Sequence, residues 1–226
     1  MARDVPHKSV RSRAVLFALG AAIAGWLAGL VSAWLTDLLQ MQDGLPSVAR
    51  GPLVRDLLVQ AGLAAVWAIL AVRAADQDWR WLAAAVLAVP IVQVAVTDLR
   101  HRYVYTVVAA VGLVLGLALG AVLHPDAWWL WPAGALGGSA LFALLYVAGR
   151  LVYRGEEPLA RGDITIAAMV GAIAGPQTPA ALVLGIIFSG LFALAVLVVQ
   201  RSRHVFLPYG PGLCLGGLVT LFLAPS

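Results

Sequence analysis

The sequence has few charged residues and almost no cysteine. Of its 226 residues, 15 are Lys or Arg and 11 are Asp or Glu, whereas 62% are hydrophobic. Soluble domains carry about 25% charged residues, so this composition excludes a soluble domain. The single cysteine, Cys214, excludes a disulfide framework and a zinc site built from cysteines.

The apolar residues form continuous runs, and they do not alternate as in a transmembrane β-barrel. Only helices remain, because a spanning segment must satisfy its own backbone hydrogen bonds in lipid. We predict an all-α, polytopic integral membrane protein that forms a single domain over residues 1–226, with about eight transmembrane helices of about 20 residues each. The predicted spans are approximately 14–35, 53–73, 81–97, 104–123, 127–149, 164–176, 179–200 and 207–224.

The arginines indicate an orientation. The loops after predicted spans two, four and six carry only Arg73 and Arg80. The loops after spans three, five and seven carry Arg100, Arg102, Arg150, Arg154, Arg161, Arg201 and Arg203. The positive-inside rule places this second set in the cytoplasm and the N-terminus outside, although the basic N-terminal tail favours the reverse. We therefore interpret the net charge of +4 as membrane-flanking charge, with no nucleic-acid partner.

Small and aromatic residues also follow a pattern. Glycines recur four residues apart in three predicted spans, a spacing that allows close helix packing in lipid. These rows are Gly25 and Gly29, then Gly112, Gly116 and Gly120, then Gly171 and Gly175. Trp128, Trp129 and Trp131 lie together between spans four and five, which is typical of an aromatic belt at the membrane interface.

Two aspartates stand out because each is attached directly to a hydrophobic helix at the same predicted membrane face. Asp98 ends the third span and Asp163 begins the sixth. Two carboxylates brought together there cannot both ionise cheaply and would share a proton, which suits the acid and base of an aspartic peptidase. An Asp beside Arg at a span end is more often a solvated flank, and the spacing leaves both interpretations open. The four histidines lack ligand spacing on one helix, so we expect no metal site.

Three segments resemble motifs of the type IV prepilin peptidase family, which are membrane-embedded aspartic peptidases. The segment from Asp98 to Tyr105 resembles a motif in which an Asp is followed by basic residues. The segment from Ala160 to Ala168 resembles a Gly-x-Gly-Asp motif that leads into a helix. The segment from Leu207 to Gly216 resembles a Pro-Phe-Gly-Pro segment. The resemblance implies that Asp98 and Asp163 are catalytic. It also implies that further residues of these segments bind substrate or shape the site, namely Arg161, Gly162, Pro208, Tyr209, Gly210 and Pro211.

The resemblance implies an endopeptidase that removes the basic leader of type IV prepilins or related pseudopilins. The implied location is the inner membrane of a prokaryote, with the active site facing the cytoplasm, and the implied partners are the precursor and the lipid bilayer. Bifunctional members carry a long insertion with two zinc-binding Cys-x-x-Cys pairs that is linked to methylation of the new N-terminus. Here the connection over residues 36–52 has no cysteine, so we expect no cofactor, no zinc and no methylation. The oligomeric state is left open.

The motifs depart from the family pattern. Ala160 replaces the first Gly of Gly-x-Gly-Asp, and Val104-Tyr105 replaces Ile-Pro. Thr165 stands where the family often has Lys, and Arg55 where it often has Glu. Three alternative functions stay open, and the motif departures bear on the last of them. They are a presenilin-like intramembrane aspartic peptidase of other membrane helices, a transporter or proton relay using the two aspartates, and an inactive homologue that binds pilins without cutting them.

Overall fold

The computed structural model describes residues 7–42, 57–73, 80–101, 104–152, 159–200 and 209–223. Within these stretches the backbone forms eight α-helices and two short 3-10 turns and no strand, which confirms the predicted all-α fold. The helices are α1 (His7–Gln42), α2 (Leu57–Arg73), α3 (Arg80–His101), α4 (Thr106–Leu123), α5 (Leu130–Val152), α6 (Arg161–Ala174), α7 (Thr178–Gln200) and α8 (Gly210–Leu223).

Among the described residues, five apolar segments are long enough to cross a bilayer. They are Ala14–Leu38, Arg80–Leu99, Thr106–Leu123, Leu130–Val152 and Arg161–Val198, which runs through α6 and α7. Helices α2 and α8 are apolar but shorter. On α5, Leu136, Leu144 and Leu151 are at least 66% exposed. Large apolar side chains on the outer surface of a helix bundle are favoured when that surface faces lipid. The chain is therefore a multi-pass membrane protein.

The first of two compact units falls within residues 1–89. In it, α1 packs against α2 through two glycines of the first predicted row. A Cβ atom at Gly25 would lie 2.6 Å from the Leu63 carbonyl oxygen, and one at Gly29 would lie 2.8 Å from Gln60 Cα. Any larger residue would push the helices apart, so this row serves close packing as predicted.

The second unit, residues 90–225, is built around α6. This helix packs against α4, α5, α7 and α8, and eight of its 14 residues are buried. From Ile166 to Ile173 its residues are all apolar, and four of the eight are Ala or Gly. A helix that is apolar all round belongs at the centre of a bundle, and its small residues let several neighbours approach at once.

Glycines on α4 and α5 bring those helices into backbone contact with α6. A Cβ atom at Gly116 of α4 would lie 2.7 Å from the Ala172 carbonyl oxygen. One at Gly138 of α5 would lie 2.5 Å from the Ala167 carbonyl oxygen. The hydrophobic effect does not drive helices together in lipid. Van der Waals attraction between closely packed backbones therefore holds this unit together.

Helix α6 ends at a sharp turn that leads directly into α7. Gly175 has φ +54°, a backbone conformation that side-chain-bearing residues rarely adopt, and Pro176 follows it. The Thr178 hydroxyl lies 3.0 Å from the Gly171 carbonyl oxygen and 2.6 Å from that of Gly175. These two carbonyls also accept the backbone N–H groups of Gly175 and Thr178. The hydroxyl hydrogen that they share therefore adds a link between the end of α6 and the start of α7. At about 1.5 Å per residue, α6 is about 21 Å long, which is shorter than the hydrocarbon core.

The three tryptophans expected in one interfacial belt divide into two groups. Trp128 and Trp129 are 57% and 56% exposed, whereas Trp131 is 8% exposed. The Trp131 ring stacks on His124 with centroids 4.9 Å apart and packs against Gly175. The difference arises because Trp131 lies on the inner face of α5, together with the other buried residues of that helix.

The neighbouring glycines Gly137 and Gly138 test the backbone contact between α5 and α6. Gly138→Ala should lower the free energy of unfolding by about 1–3 kcal/mol, because its methyl group overpacks the contact. Gly137 has no atom within 4 Å of an added Cβ, so Gly137→Ala should leave stability unchanged or slightly raised. Thermal unfolding in detergent micelles measures both, and equal effects of the two changes would contradict the packing.

Candidate functional site

Asp98 lies in the last turn of α3, within the second unit. Its side chain is only 6% exposed, even though it lies near the end of the helix. A buried carboxyl group is costly to keep charged unless its surroundings stabilise it. The groups packed against Asp98 therefore control its chemistry.

Asp163 is the third residue of α6 and is 4% exposed. Its carboxylate accepts a hydrogen bond from the backbone N–H of Ala160 at 3.1 Å. In return, the backbone N–H of Asp163 donates to the Ala160 carbonyl at 3.0 Å. The first of these contacts is the acidic half of a capping box, and it fixes the carboxylate at the start of the helix.

The two predicted aspartates are brought together by this fold. The carboxyl groups of Asp98 and Asp163 interact electrostatically as like charges. Both also act on the thiol of Cys214 in α8, which is fully buried. Three polar side chains from three helices thus lie within electrostatic range of one another inside the second unit.

Gly210, the first residue of α8, borders Asp98. A Cβ atom at this position would overlap the Oδ2 atom of Asp98, and it would lie 3.0 Å from Asp98 Cγ and 2.8 Å from Cδ1 of Ile166. Glycine is required here because any side chain would displace the carboxylate. The amino-terminal end of α8, which carries partial positive charge, therefore lies directly against an acidic group.

The other residues of the Pro-Tyr-Gly-Pro segment shape the start of α8. Tyr209 is partly buried and Pro211 is buried. The Tyr209 carbonyl accepts the backbone N–H of Leu213 at 3.1 Å, which closes the first turn, and proline is well suited to the start of a helix. Pro208, the remaining residue of the predicted set, lies outside the described residues.

Gly162 connects the two aspartate-bearing segments. A Cβ atom at Gly162 would lie 3.3 Å from both Cβ and Cγ2 of Val104. Val104 belongs to the short connection between α3 and α4, downstream of Asp98. The segment that follows one aspartate thus packs on the turn that carries the other, and a small residue at position 162 keeps that distance short.

Ala160, which departs from the Gly-x-Gly-Asp pattern, adopts φ −78° and ψ 146°. This is extended backbone, which any residue adopts without strain. The first glycine of the pattern is therefore not needed here for its conformational freedom.

Arg161 is the first residue of α6 and its side chain is exposed. Its Nε donates to the hydroxyl oxygen of Tyr146 on α5 at 3.4 Å. The guanidinium of Arg150 lies 5.9 Å from the centre of the same ring, within the range of a cation–π contact. Positive charge thus gathers at the end of the second unit where Asp163 begins its helix.

Sequence reasoning did not single out Ser189, and it used Cys214 only to exclude disulfides and zinc. Ser189 is buried and its hydroxyl lies 3.1 Å from the Tyr209 carbonyl oxygen. The available signal was one hydroxyl in the otherwise apolar stretch 180–198. For Cys214 the signal was its place four residues after Gly210, on the same face of α8.

The arrangement is suited to proton transfer. Two buried carboxyl groups that repel each other are most stable when they hold one proton between them. Such a pair can accept a proton at one oxygen while it donates a proton from another. In the part of the chain that the structure describes, no three His, Cys, Asp or Glu side chains gather as a metal ion would require.

Two comparisons with known proteins find matches. The sequence model of the type IV leader peptidase family matches residues 85–198, about half of the chain. A curated relative, the type 4 prepilin-like proteins leader peptide-processing enzyme of Escherichia coli O78:H11 (strain H10407 / ETEC), is 31% identical over 178 residues. That alignment covers 77% of this chain and 61% of the relative, so the chain spans less than two thirds of the relative's length. No solved structure matches the chain.

The contact between Asp163 and Ala160 predicts different stabilities for two variants. Asp163→Asn retains an oxygen that can accept the Ala160 N–H, whereas Asp163→Ala removes the acceptor. We expect the alanine variant to be less stable than the asparagine variant by about 1 kcal/mol, the usual contribution of a helix cap. Thermal unfolding in detergent gives the difference, and identical stabilities would show that the cap contributes nothing.

Proposed function

Because this chain belongs to the type IV leader peptidase family, we propose that it is a membrane-embedded aspartic endopeptidase that removes the basic leader from type IV prepilins or related pseudopilins. The observation that carries this proposal is that two buried carboxyl groups, Asp98 and Asp163, lie within electrostatic range of each other. Both residues lie within the range that matches the family. The curated relative is named for leader peptide processing of prepilin-like proteins.

In the proposed reaction, Asp98 and Asp163 hold one proton between them. A water molecule attacks the carbon of the scissile peptide bond and gives a proton to the ionised carboxylate, while the protonated carboxyl gives its proton to the carbonyl oxygen. When the tetrahedral diol collapses, the C–N bond breaks. The carboxyl group that took a proton from water now passes it to the leaving nitrogen. The carboxylate that gave its proton to the carbonyl oxygen takes one back from a hydroxyl group of the diol. The pair ends as it began, and no covalent intermediate forms on the protein.

The low polarity of the surroundings supports this chemistry. Asp98 and Asp163 are at most 6% exposed, and a charge that moves between them is poorly screened there. Proton transfer therefore has a large effect on the stability of the diol. The N-terminal turn of α8, next to Asp98, adds partial positive charge where negative charge develops.

We place the site at the cytoplasmic face of the inner membrane of a prokaryote, where a basic leader is found before translocation. Two observations support this placement. Both aspartates lie near the ends of their helices, and most arginines of the predicted loops lie on that side, as expected for cytoplasmic loops.

We also propose that cleavage occurs without methylation of the new N-terminus. The two zinc-binding cysteine pairs of bifunctional family members need four cysteines, and this sequence has only Cys214. That residue is buried in α8, in the same unit as the aspartates.

Asparagine variants test the aspartate pair. In co-expression with a prepilin that has a basic leader and a Gly-Phe junction, the wild-type protein should remove the leader. Asp98→Asn and Asp163→Asn should each lower the rate at least about 100-fold, the scale of general acid–base catalysis. Gel shifts follow cleavage, and mass spectrometry of the product should show a free, unmethylated N-terminus.

Asp126→Asn is the matched control, because Asp126 is exposed in the turn after α4. This substitution should leave the rate unchanged. Cleavage that survives Asp98→Asn or Asp163→Asn removes that residue from the mechanism. A wild-type protein that binds the prepilin without cutting it would favour the inactive homologue instead.

Thiol labelling tests the orientation. The native Cys214 is fully buried and should give little background. Asp126→Cys and Arg150→Cys place exposed thiols near opposite ends of α5. In intact cells a membrane-impermeant maleimide should label position 126 and should reach position 150 only after the inner membrane is permeabilised. The reverse pattern would place the aspartates on the outer side.

A further inference from the structure

Helices α7 and α8 are joined by an unusually close contact. A Cβ atom at Gly185 of α7 would lie 2.9 Å from the Cα of Leu213, and one at Gly212 of α8 would lie 2.8 Å from the Cα of Ser189. Contacts between backbones leave little freedom to slide. The position of α8 along α7 is therefore set at these residues.

Ser189 is the polar group in this contact. Its side chain is 4% exposed, and every other residue from 180 to 198 is apolar. The hydroxyl lies 2.8 Å from the Gly185 carbonyl oxygen, within its own helix, and 3.1 Å from the Tyr209 carbonyl oxygen. A contact within the helix alone is the usual arrangement for serine in membrane helices. Here the one hydroxyl hydrogen is shared between two carbonyl oxygens, and the share that goes to Tyr209 links α7 to the residue just before α8.

The linked residue is adjacent to the aspartate site. Tyr209 is followed by Gly210, and there is no space for even one carbon atom between Gly210 and the Asp98 carboxylate. The Tyr209 carbonyl also accepts the Leu213 N–H that closes the first turn of α8. A shift of the Tyr209 carbonyl therefore moves the first turn of α8 against Asp98 or away from it.

We propose that Ser189 is a positioning residue for Asp98. By holding the Tyr209 carbonyl, it fixes the start of α8 at the distance where Gly210 touches the Asp98 carboxylate and restricts the orientation of that carboxylate. Ser189 does not touch the reacting atoms. Its effect on catalysis rests on the proposed peptidase function, whereas its effect on the carboxylate does not.

Ser189→Ala tests this role in cleavage. It removes the hydroxyl and little volume, so kcat should fall about tenfold while KM stays within about twofold, since a misplaced catalytic group mainly slows the chemical step. Ser189→Cys retains the shape but donates a much weaker hydrogen bond, and it should behave like the alanine variant. The matched control is Ser139→Ala, because the Ser139 hydroxyl donates to the Leu136 carbonyl of its own helix, at 3.0 Å. It should leave both constants unchanged.

A second readout does not depend on cleavage. A hydrophobic carbodiimide modifies buried carboxyl groups, and mass spectrometry gives the rate at Asp98. We expect Ser189→Ala and Ser189→Cys to change this rate at least about threefold in folded protein, and Ser139→Ala to leave it unchanged. If the wild type cleaves no prepilin, the proposed function fails and the labelling rate alone decides the role of Ser189. A wild-type labelling rate in both Ser189 variants, or a loss of activity seen only in KM, overturns the inference.

Discussion

Two buried acids within electrostatic range of each other, Asp98 and Asp163, constrain the rest of the second unit. Two acids that share an apolar environment raise the free energy of the folded state unless neighbouring groups compensate. Backbone atoms provide part of this compensation. The Ala160 N–H binds one carboxylate, and the start of α8 lies against the other. The site is therefore built mainly from helix ends, where free N–H groups are available.

Close packing of glycine-containing helices is the means by which these ends are held in place. In lipid the hydrophobic effect does not drive one helix onto another, so stability depends on contact area, and small residues increase it. Gly138 against Ala167 fixes the side of α6 that faces α5, and Gly185 against Leu213 fixes α8 along α7. Because α6 contacts both α5 and α8, displacement at either contact would reach Asp163 or Asp98.

The sequence predicts the helices better than it predicts the site. Long apolar runs identify the all-α membrane fold, and glycine rows such as Gly25 and Gly29 identify close contacts, because both follow from local composition. Trp131 shows the limit: its neighbours suggested an interfacial belt, but its helical phase places it inside. Ser189 carries a signal too, as one hydroxyl in an apolar run, but its partner Tyr209 lies 20 residues away, just before another helix. Which side chains meet across helices depends on tertiary packing, which spacing along the chain does not encode.

The departure from the Gly-x-Gly-Asp pattern at Ala160 helps to separate two reasons for glycine at such a site. At position 160 the backbone is extended, so alanine fits and its N–H still binds Asp163. At position 162 the limit is the neighbouring Val104, 3.3 Å from an added carbon, and at position 210 it is the Asp98 carboxylate itself. The glycines that this site requires are those that border an aspartate or the segment following it. Substitution is therefore tolerated where only backbone freedom is lost and harmful where space beside the acids is lost.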